Sequence, residues 1–592
     1  MIKNNYHNFH IPVMGIGFTI DTPLKVAPLG IDSVISIVDD TIIEQMREHY
    51  IKLNQQPYLE ISKKDPDYRE RRITDYLNLI NQLVIEKFQK IQNQAFEEGS
   101  EINNYFELLP KHSELSTQFY KMLEETDRSK KEFIQEHLRS EMKCGSIDVN
   151  IMAKIDTTTY DKAGNALPEI YNDAMSALRA FANTDLNASV VLSAGYNPRL
   201  YNYIETFNDF LPNGSGELKK KVILKVSDYR SAAIQGKILA KKGIWISEFR
   251  IESGLNCGGH TFATEGKLLG PILEEFKTER TQLQEELFTL CQEALKESGR
   301  FLFQKKPHLR ITAQGGIGTS MEHDFLMNHY ELDATGWGSP FLLVSEVTNV
   351  DDATRNQLAQ ARKEDYYVST ASPLGVPFNN FHNTSSQKLL KERIDKNRPG
   401  SPCHKKFLTF DGEFTEKDIC TASRQYQHLK LKQLEESNLS AEEYEQKSKS
   451  ILEKECLCEG LAVSAVLVHN EEKPKQITAV SVCPGPNLAY FSGKFSLKEM
   501  VQHIYGQNNL LNSLNRNHMF VNELEMYMDY LKKEINNCGG IFNKKQARYF
   551  KNFKISLFEG INYYKDLFSS FYSEAEELLL KHTNALKTYP EF

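Results

Sequence analysis

The chain has no uninterrupted apolar run approaching the roughly 20 residues that a membrane-spanning helix requires. Its opening stretch, Met1 to His10, is polar and lacks the apolar segment of a secretory leader. It has no basic stripe either. Lysines and arginines are scattered among acidic residues, and the formal net charge is -8, which argues against a nucleic-acid surface. No internal repeat or low-complexity tract interrupts it. Cysteine is sparse and odd in number, nine in 592 residues, so reduced thiols are expected rather than a disulfide framework. These absences lead to the expectation of a soluble cytoplasmic protein whose partner is a small molecule, with no nucleic acid and no membrane.

What is present is enough apolar material, 40% of residues, for a sizeable core. The length predicts one large domain and a second unit. Short apolar runs, each followed by a helical stretch, recur at Ile11 to Gly17, Ser33 to Val38, Ile147 to Ile155, Ala188 to Ala194, Lys221 to Val226, Ile244 to Ile251, Leu309 to Ala313 and Asp333 to Gly336. Alternating buried strands and helices form a parallel sheet, and eight such units are the number of a closed (β/α)8 TIM barrel. The expected fold is therefore α/β, a barrel over residues 1-390 with a helical insertion, 41-143, that covers the active-site face or forms an interface. A Pro/Gly segment, Asn397 to Pro402, marks the start of a mostly helical C-terminal region, 391-592. Its clearest amphipathic stretches are Ala441 to Glu455 and Tyr563 to Leu586.

In such a barrel the functional groups gather past the C-terminal ends of the strands. Three glycine turns stand there: Gly254-Leu255-Asn256-Cys257-Gly258-Gly259-His260, Gln314-Gly315-Gly316-Ile317 and Trp337-Gly338-Ser339. Glycine lets a ligand approach the backbone where a Cβ would obstruct it. The turn at Gly315 and Gly316 also precedes a helix beginning near Ser320, whose free N–H groups favour a phosphate. His260 stands at the same mouth. An imidazole with a pKa near 6.5 accepts or donates a proton at neutral pH.

The stretch Lys221 to His260, with its Gly-Gly-His, resembles the nitronate monooxygenase family, formerly called 2-nitropropane dioxygenases, which includes flavin-type enoyl-acyl carrier protein reductases. Pro12-Val13-Met14-Gly15-Ile16-Gly17 looks like its first-strand flavin loop, Val149-Asn150-Ile151 like its third-strand motif, and the last two glycine turns like its phosphate pair. The resemblance spans roughly Ile11 to Glu346. It implies a flavoprotein, an oxidoreductase that binds FMN non-covalently and uses the His260 counterpart as catalytic base, with NAD(P)H or molecular oxygen as the further reactant. Carried over, it places Met14, Gly15 and Gly17 along the isoalloxazine, Asn150 in a hydrogen bond to the flavin, and Gly259, Gly316, Gly338 and Ser339 around the phosphate, with Gly258, Gln314 and Gly315 as neighbouring cofactor-binding residues. Lys225 is either a charge near the flavin pyrimidine or a solvated strand-end lysine. Ser193 is either a flavin contact or a local backbone cap.

Relatives usually carry an acidic residue and a small one before Gly-Gly-His, where this chain has Asn256 and Cys257. That departure bears on the substrate more than on the cofactor. The segment Thr370 to Asn380, stiffened by Pro373 and Pro377, is either a lid over the mouth or a surface crossover. Cys403, Cys420, Cys456, Cys458 and Cys483 fall in one stretch, but their spacing matches no known ligand set, so separate buried thiols are favoured over a metal or an iron–sulfur cluster. The reading from another class is a phosphate-binding barrel without flavin, a lyase or isomerase with His260 as general base.

Overall fold

Eight parallel strands close into a barrel in the computed structural model of the protein, in strict sequence order from β1 to β8. The structure describes residues 6–161, 163–193, 195–539, 542–568 and 573–590. The strands are β1 Phe9–Ile11, β2 Asp32–Ser36, β3 Ile147–Met152, β4 Ala188–Ser193, β5 Lys220–Val226, β6 Ile246–Glu252, β7 Arg310–Gln314 and β8 Ala334–Gly336. Seven of the eight expected runs carry a strand, and the first meets its strand only at Ile11. The fourth run's last residue, Ala194, lies outside the described residues. The first strand is shorter and earlier than expected: it closes the barrel against β2 and β8 through Phe9 and His10. Pro12 lacks the N–H a ladder needs, so residues 12–17 form a loop.

Side chains alternate between the two faces of each strand. Phe249 and Ile251 of β6 face outward, Phe249 against Phe276 of the helix Leu269–Glu297. Glu248, Arg250 and Glu252 share the other face, and the barrel interior is accordingly polar at one level. Arg250 Nε donates to Glu248 Oε1 at 2.8 Å, Arg250 lies 3.6 Å from Asp148 and Thr312 donates to Glu248 at 2.7 Å. Burial pushes the Glu248 carboxyl upward, but the Arg250 and Arg310 guanidiniums outweigh it and hold it lowered to about 2. Above this layer Val34, Val191 and Ile223 pack together beneath Val13.

The insertion is helical, as expected, in Asp40–Leu53, Tyr68–Gln92, Glu101–Glu107, Glu114–Glu124 and Arg128–Glu141. It does not cover the open end of the strands. Tyr76 donates to the Ile20 carbonyl at 3.0 Å, and Tyr105 donates to the Lys143 carbonyl, just before β3, at 3.0 Å. The insertion thus wraps the barrel's flank and its N-terminal end.

The mouth is instead approached by chain from beyond residue 366. An antiparallel hairpin, β9 Tyr366–Ser369 and β10 Phe378–Phe381, reaches in from one side. Ala462, Val463, Phe491 and Phe520 belong to the same hydrophobic cluster as Ile35 and Val149 of the barrel. The expected helix Ala441 to Glu455 is observed as Ala441–Leu452, and the stretch Tyr563 to Leu586 falls on two helices, Lys544–Phe568 and Ser573–Thr588. Residues 569–572 between them are outside the described residues. Among the described residues no helix is long and apolar enough to cross a membrane.

The loop after β1 is pinned by this later chain: Ile16 and Gly17 both donate their N–H to the Leu461 carbonyl, at 3.0 and 2.8 Å. A Cβ on Gly17 would stand 2.2 Å from the Ala462 carbonyl oxygen, a backbone atom that cannot swing aside. Gly17→Ala is therefore expected to lower stability by about 1–3 kcal/mol, measured by urea unfolding. An unchanged midpoint would mean that residues 461 and 462 undock without cost.

Candidate active site

The last inward positions of the strands open into a cavity of ≈ 370 Å³, within the range of small-molecule sites. Its floor is polar. Lys225 Nζ lies 2.9 Å from Glu252 Oε2, and Gln314 Nε2 donates to Glu252 Oε1 at 2.9 Å. Gln314 Oε1 faces His10 Nε2 at 3.4 Å. These residues form one continuous chain of polar contacts from the barrel axis to the cavity. Its upper walls are apolar, with Met14, Met152, Leu374, Phe378, Leu408 and Leu461 among them.

Three strand-end loops meet at one edge of this cavity, and a single later segment, Cys483-Pro484-Gly485-Pro486-Asn487, bonds all of them. Gly259 donates to the Cys483 carbonyl at 3.0 Å, Gly485 donates to Ser339 Oγ at 2.7 Å and Asn487 Nδ2 donates to the Ile317 carbonyl at 2.8 Å. Gly316 and Ile317 are buried and line the cavity. Among the described residues their own N–H groups meet no protein acceptor. Buried N–H groups without a partner are rare and costly, and two of them just before the helix Ser320–His329 suit an anion. The Ser339 oxygen accepts from Gly485, and among the described residues its hydroxyl proton meets no protein acceptor.

His260 Nε2 shares a 2.7 Å hydrogen bond with Ser372 Oγ at the tip of the β9–β10 hairpin. The hairpin is tied to the same loop twice more, through Asn379 N–H to the Gly259 carbonyl and Thr261 N–H to the Pro377 carbonyl, both at 2.9 Å. Burial, with a smaller contribution from Lys225, lowers the His260 pKa to about 4, so the ring is neutral at pH 7. Nδ1 is the nitrogen not held by Ser372.

Met14, Gly15, Asn150, Ser193, Lys225, Gly258, Gly259, His260, Gln314, Gly315, Gly316, Gly338 and Ser339 all border this one cavity. Gly17 does not: it lies against residues 461 and 462, because its missing Cβ serves a chain crossing rather than a ligand. Two placements carry more than their expected roles. The Gly259 N–H is spent on Cys483, and the Lys225 charge is paired with Glu252. Ser193 donates to the Ile151 carbonyl at 3.3 Å, as a backbone cap does.

Burial raises the Cys257 thiol well above its ordinary range and Cys483 to about 12, which suppresses thiolate chemistry. Cys403, Cys420 and Cys458 sit in a small apolar cluster with Phe407 and Leu457. Among the described residues, no three or more His, Cys, Asp or Glu side chains are grouped to hold a metal.

Glu252 and the segment 483–487 were not anticipated from the sequence, and Ser372 lies in the Thr370 to Asn380 segment, one of whose two readings placed it over the mouth. Glu252 was within reach, since it ends β6 at the inward spacing of Glu248 and Arg250. The Pro-Gly-Pro at 484–486 signals an irregular loop, but nothing in it says which loops it joins.

No protein-family model matches the chain, and no curated protein matches it. Among solved structures it is similar to FabK from Thermotoga maritima, at 12% identity and a TM-score of 0.36, over 89% of this chain and 96% of that one. It is similar to the enoyl reductase domain of MlnA from the macrolactin biosynthesis cluster of Bacillus amyloliquefaciens, at 13% identity and 0.33, over 64% and 86%. A third is nitroalkane oxidase from Streptomyces ansochromogenes, at 11% and 0.29, over 63% and 82%. The barrel assignment rests on the strand order and register of this chain itself.

The loop after β7 has little room. Gly316 has φ +79°, and a Cβ there would lie 2.0 Å from Asn256 Nδ2 and 2.7 Å from its Cγ. Asn256 is buried, so Gly316→Ala forces both a strained backbone and a displaced amide. A loss of about 1–3 kcal/mol is expected, read by urea unfolding; a stability equal to that of the wild type would show that the loop has another conformation open to it.

Proposed function

We propose that the chain is an FMN-dependent oxidoreductase of the nitronate monooxygenase-like or enoyl reductase-like kind, acting on a small organic substrate with His260 as its proton-transfer group. The observation that carries this reading is the pair of buried, acceptor-less N–H groups at Gly316 and Ile317, on the edge of a cavity whose walls are broad and apolar. A phosphate satisfies the first feature and a flat aromatic ring system the second. A sugar phosphate in a lyase or isomerase would satisfy the first but leave the apolar walls facing hydroxyl groups.

In this reading Gly316, Ile317 and Ser339 would hold the phosphate, with Gly315 and Gly338 beside them on the cavity edge. Met14, Gly15 and Asn150 border the ring system. Bound FMN supplies hydride or electron exchange, with NAD(P)H or molecular oxygen as the further reactant. Glu252 fixes Lys225 and Gln314 at the cavity floor, from which both would donate to bound FMN. His260 takes the substrate proton on Nδ1, in the neutral state that burial favours, while Ser372 keeps the ring from turning. The apolar walls exclude water from that proton.

The test is optical and then kinetic. Purified protein is expected to be yellow or to become so with FMN; colourless protein that cannot be reconstituted sinks the proposal. Anaerobic reduction with NADH and with NADPH, followed by a screen of nitronates and enoyl thioesters, identifies the reactants. Because the lowered pKa leaves His260 neutral down to about pH 4, the acid limb of kcat/KM is expected near 4 rather than near the 6.5 of a free imidazole. His260→Ala is expected to lower kcat by about 10²–10⁴-fold; activity within a factor of two of the wild type would remove the histidine from the chemistry.

A further inference from the structure

The loop after β7 is held by two side chains far along the sequence. Arg516 Nη2 donates to the Gly316 carbonyl at 2.7 Å, 200 positions away, and Asn487 Nδ2 donates to the Ile317 carbonyl, 170 positions away. The two also hold each other, since Arg516 Nε donates to Asn487 Oδ1 at 3.0 Å. The guanidinium then forks onto Glu322, Nη1 to Oε1 at 2.6 Å and Nη2 to Oε2 at 2.9 Å. Glu322 is buried, and its Oε2 accepts from the Gly318 N–H at 2.8 Å.

The peptide bond is planar and trans, so its C=O and the following N–H point in opposite directions. A donor that fixes the Gly316 carbonyl outward therefore fixes the Ile317 N–H inward, toward the cavity. The next plane is set in the same way: the Ile317 carbonyl meets Asn487 and the Gly318 N–H meets Glu322. A second effect is electrostatic. A buried carboxylate beneath an anion-binding loop repels the anion unless a cation is paired with it, and Arg516 is that cation, at 2.6 Å.

We propose that Arg516, oriented by Asn487, is a positioning residue for the cofactor phosphate: it turns the Ile317 N–H into the cavity and neutralises Glu322 beneath it. This rests on the FMN reading above. It makes the chain beyond the barrel a working part of the cofactor site. The donor that binds the phosphate is a barrel backbone N–H, and the residues that aim it lie 170 and 200 positions later.

FMN and riboflavin differ only by the phosphate, so their relative affinities for the full-length apoprotein isolate its contribution. The variants are Asn487→Ala, Arg516→Lys, and Arg516→Met combined with Glu322→Gln, which removes both charges together and guards against misfolding from an unpaired carboxylate. Each is expected to bind FMN about tenfold or more weakly, the worth of a hydrogen bond to a charged group, with riboflavin affinity unchanged. A merely structural role would weaken both flavins equally; that result, or no change for either, overturns the positioning role and leaves the flavin reading standing. Wild-type protein that binds neither flavin overturns the flavin reading, and this inference with it.

Discussion

Buried backbone donors must be satisfied, and in this barrel the two peptide planes after Gly316 are fixed by partners on their carbonyls, so that the Ile317 N–H, opposite the Gly316 carbonyl, is turned toward the cavity. The later chain does this through Asn487 and Arg516. The same later chain also takes the Gly259 N–H and meets the Ser339 hydroxyl. A short segment thus divides the polar groups of three loops into those spent inside the protein and those left for a ligand. The cavity's chemistry is the remainder of that division.

The remainder is consistent with the floor below it. Glu248 and Asp148 are offset by Arg250 and Arg310 inside the barrel, so the charges buried there do not set the potential of the cavity by themselves. Glu252, Lys225 and Gln314 form a second, higher tier whose groups are mutually fixed. His260 sits apart from both, clamped by a hairpin and neutral through burial. Fixed dipoles at the floor, unspent donors at one edge and a neutral imidazole at the rim require little rearrangement when a ligand enters, which is the condition for electrostatic preorganisation.

Much of the barrel was legible because it is written locally. Strands such as β3, β4 and β5 carry runs of apolar, largely β-branched residues between turn signals, and burial on both faces of a parallel sheet favours that pattern wherever the strand lies. The glycine turns were legible for the same reason: Gly316 has φ +79° and no room for a Cβ beside Asn256, and a requirement of that kind falls on single positions. The first run was misplaced by a few residues because Pro12 ends the ladder although the apolar pattern continues past it. The polar inward face of β6 was missed by treating its run as uniformly apolar, when Glu248, Arg250 and Glu252 alternate with Phe249 and Ile251.

The sequence by itself determined the number and order of the strands, the positions of the glycine turns and the presence of an imidazole beside one of them, since each follows from local sterics and from the period of a strand. Only the tertiary structure decided what surrounds the mouth. The long helical insertion runs along the flank and the N-terminal end, while residues 370–378, 457–461 and 483–487 line the cavity. Those placements come from packing between surfaces far apart in the chain, such as Gly17 beneath Ala462 or Asn487 beside Ile317, and a contact of that kind depends on shape matched across the fold, which no short-range pattern of residues records.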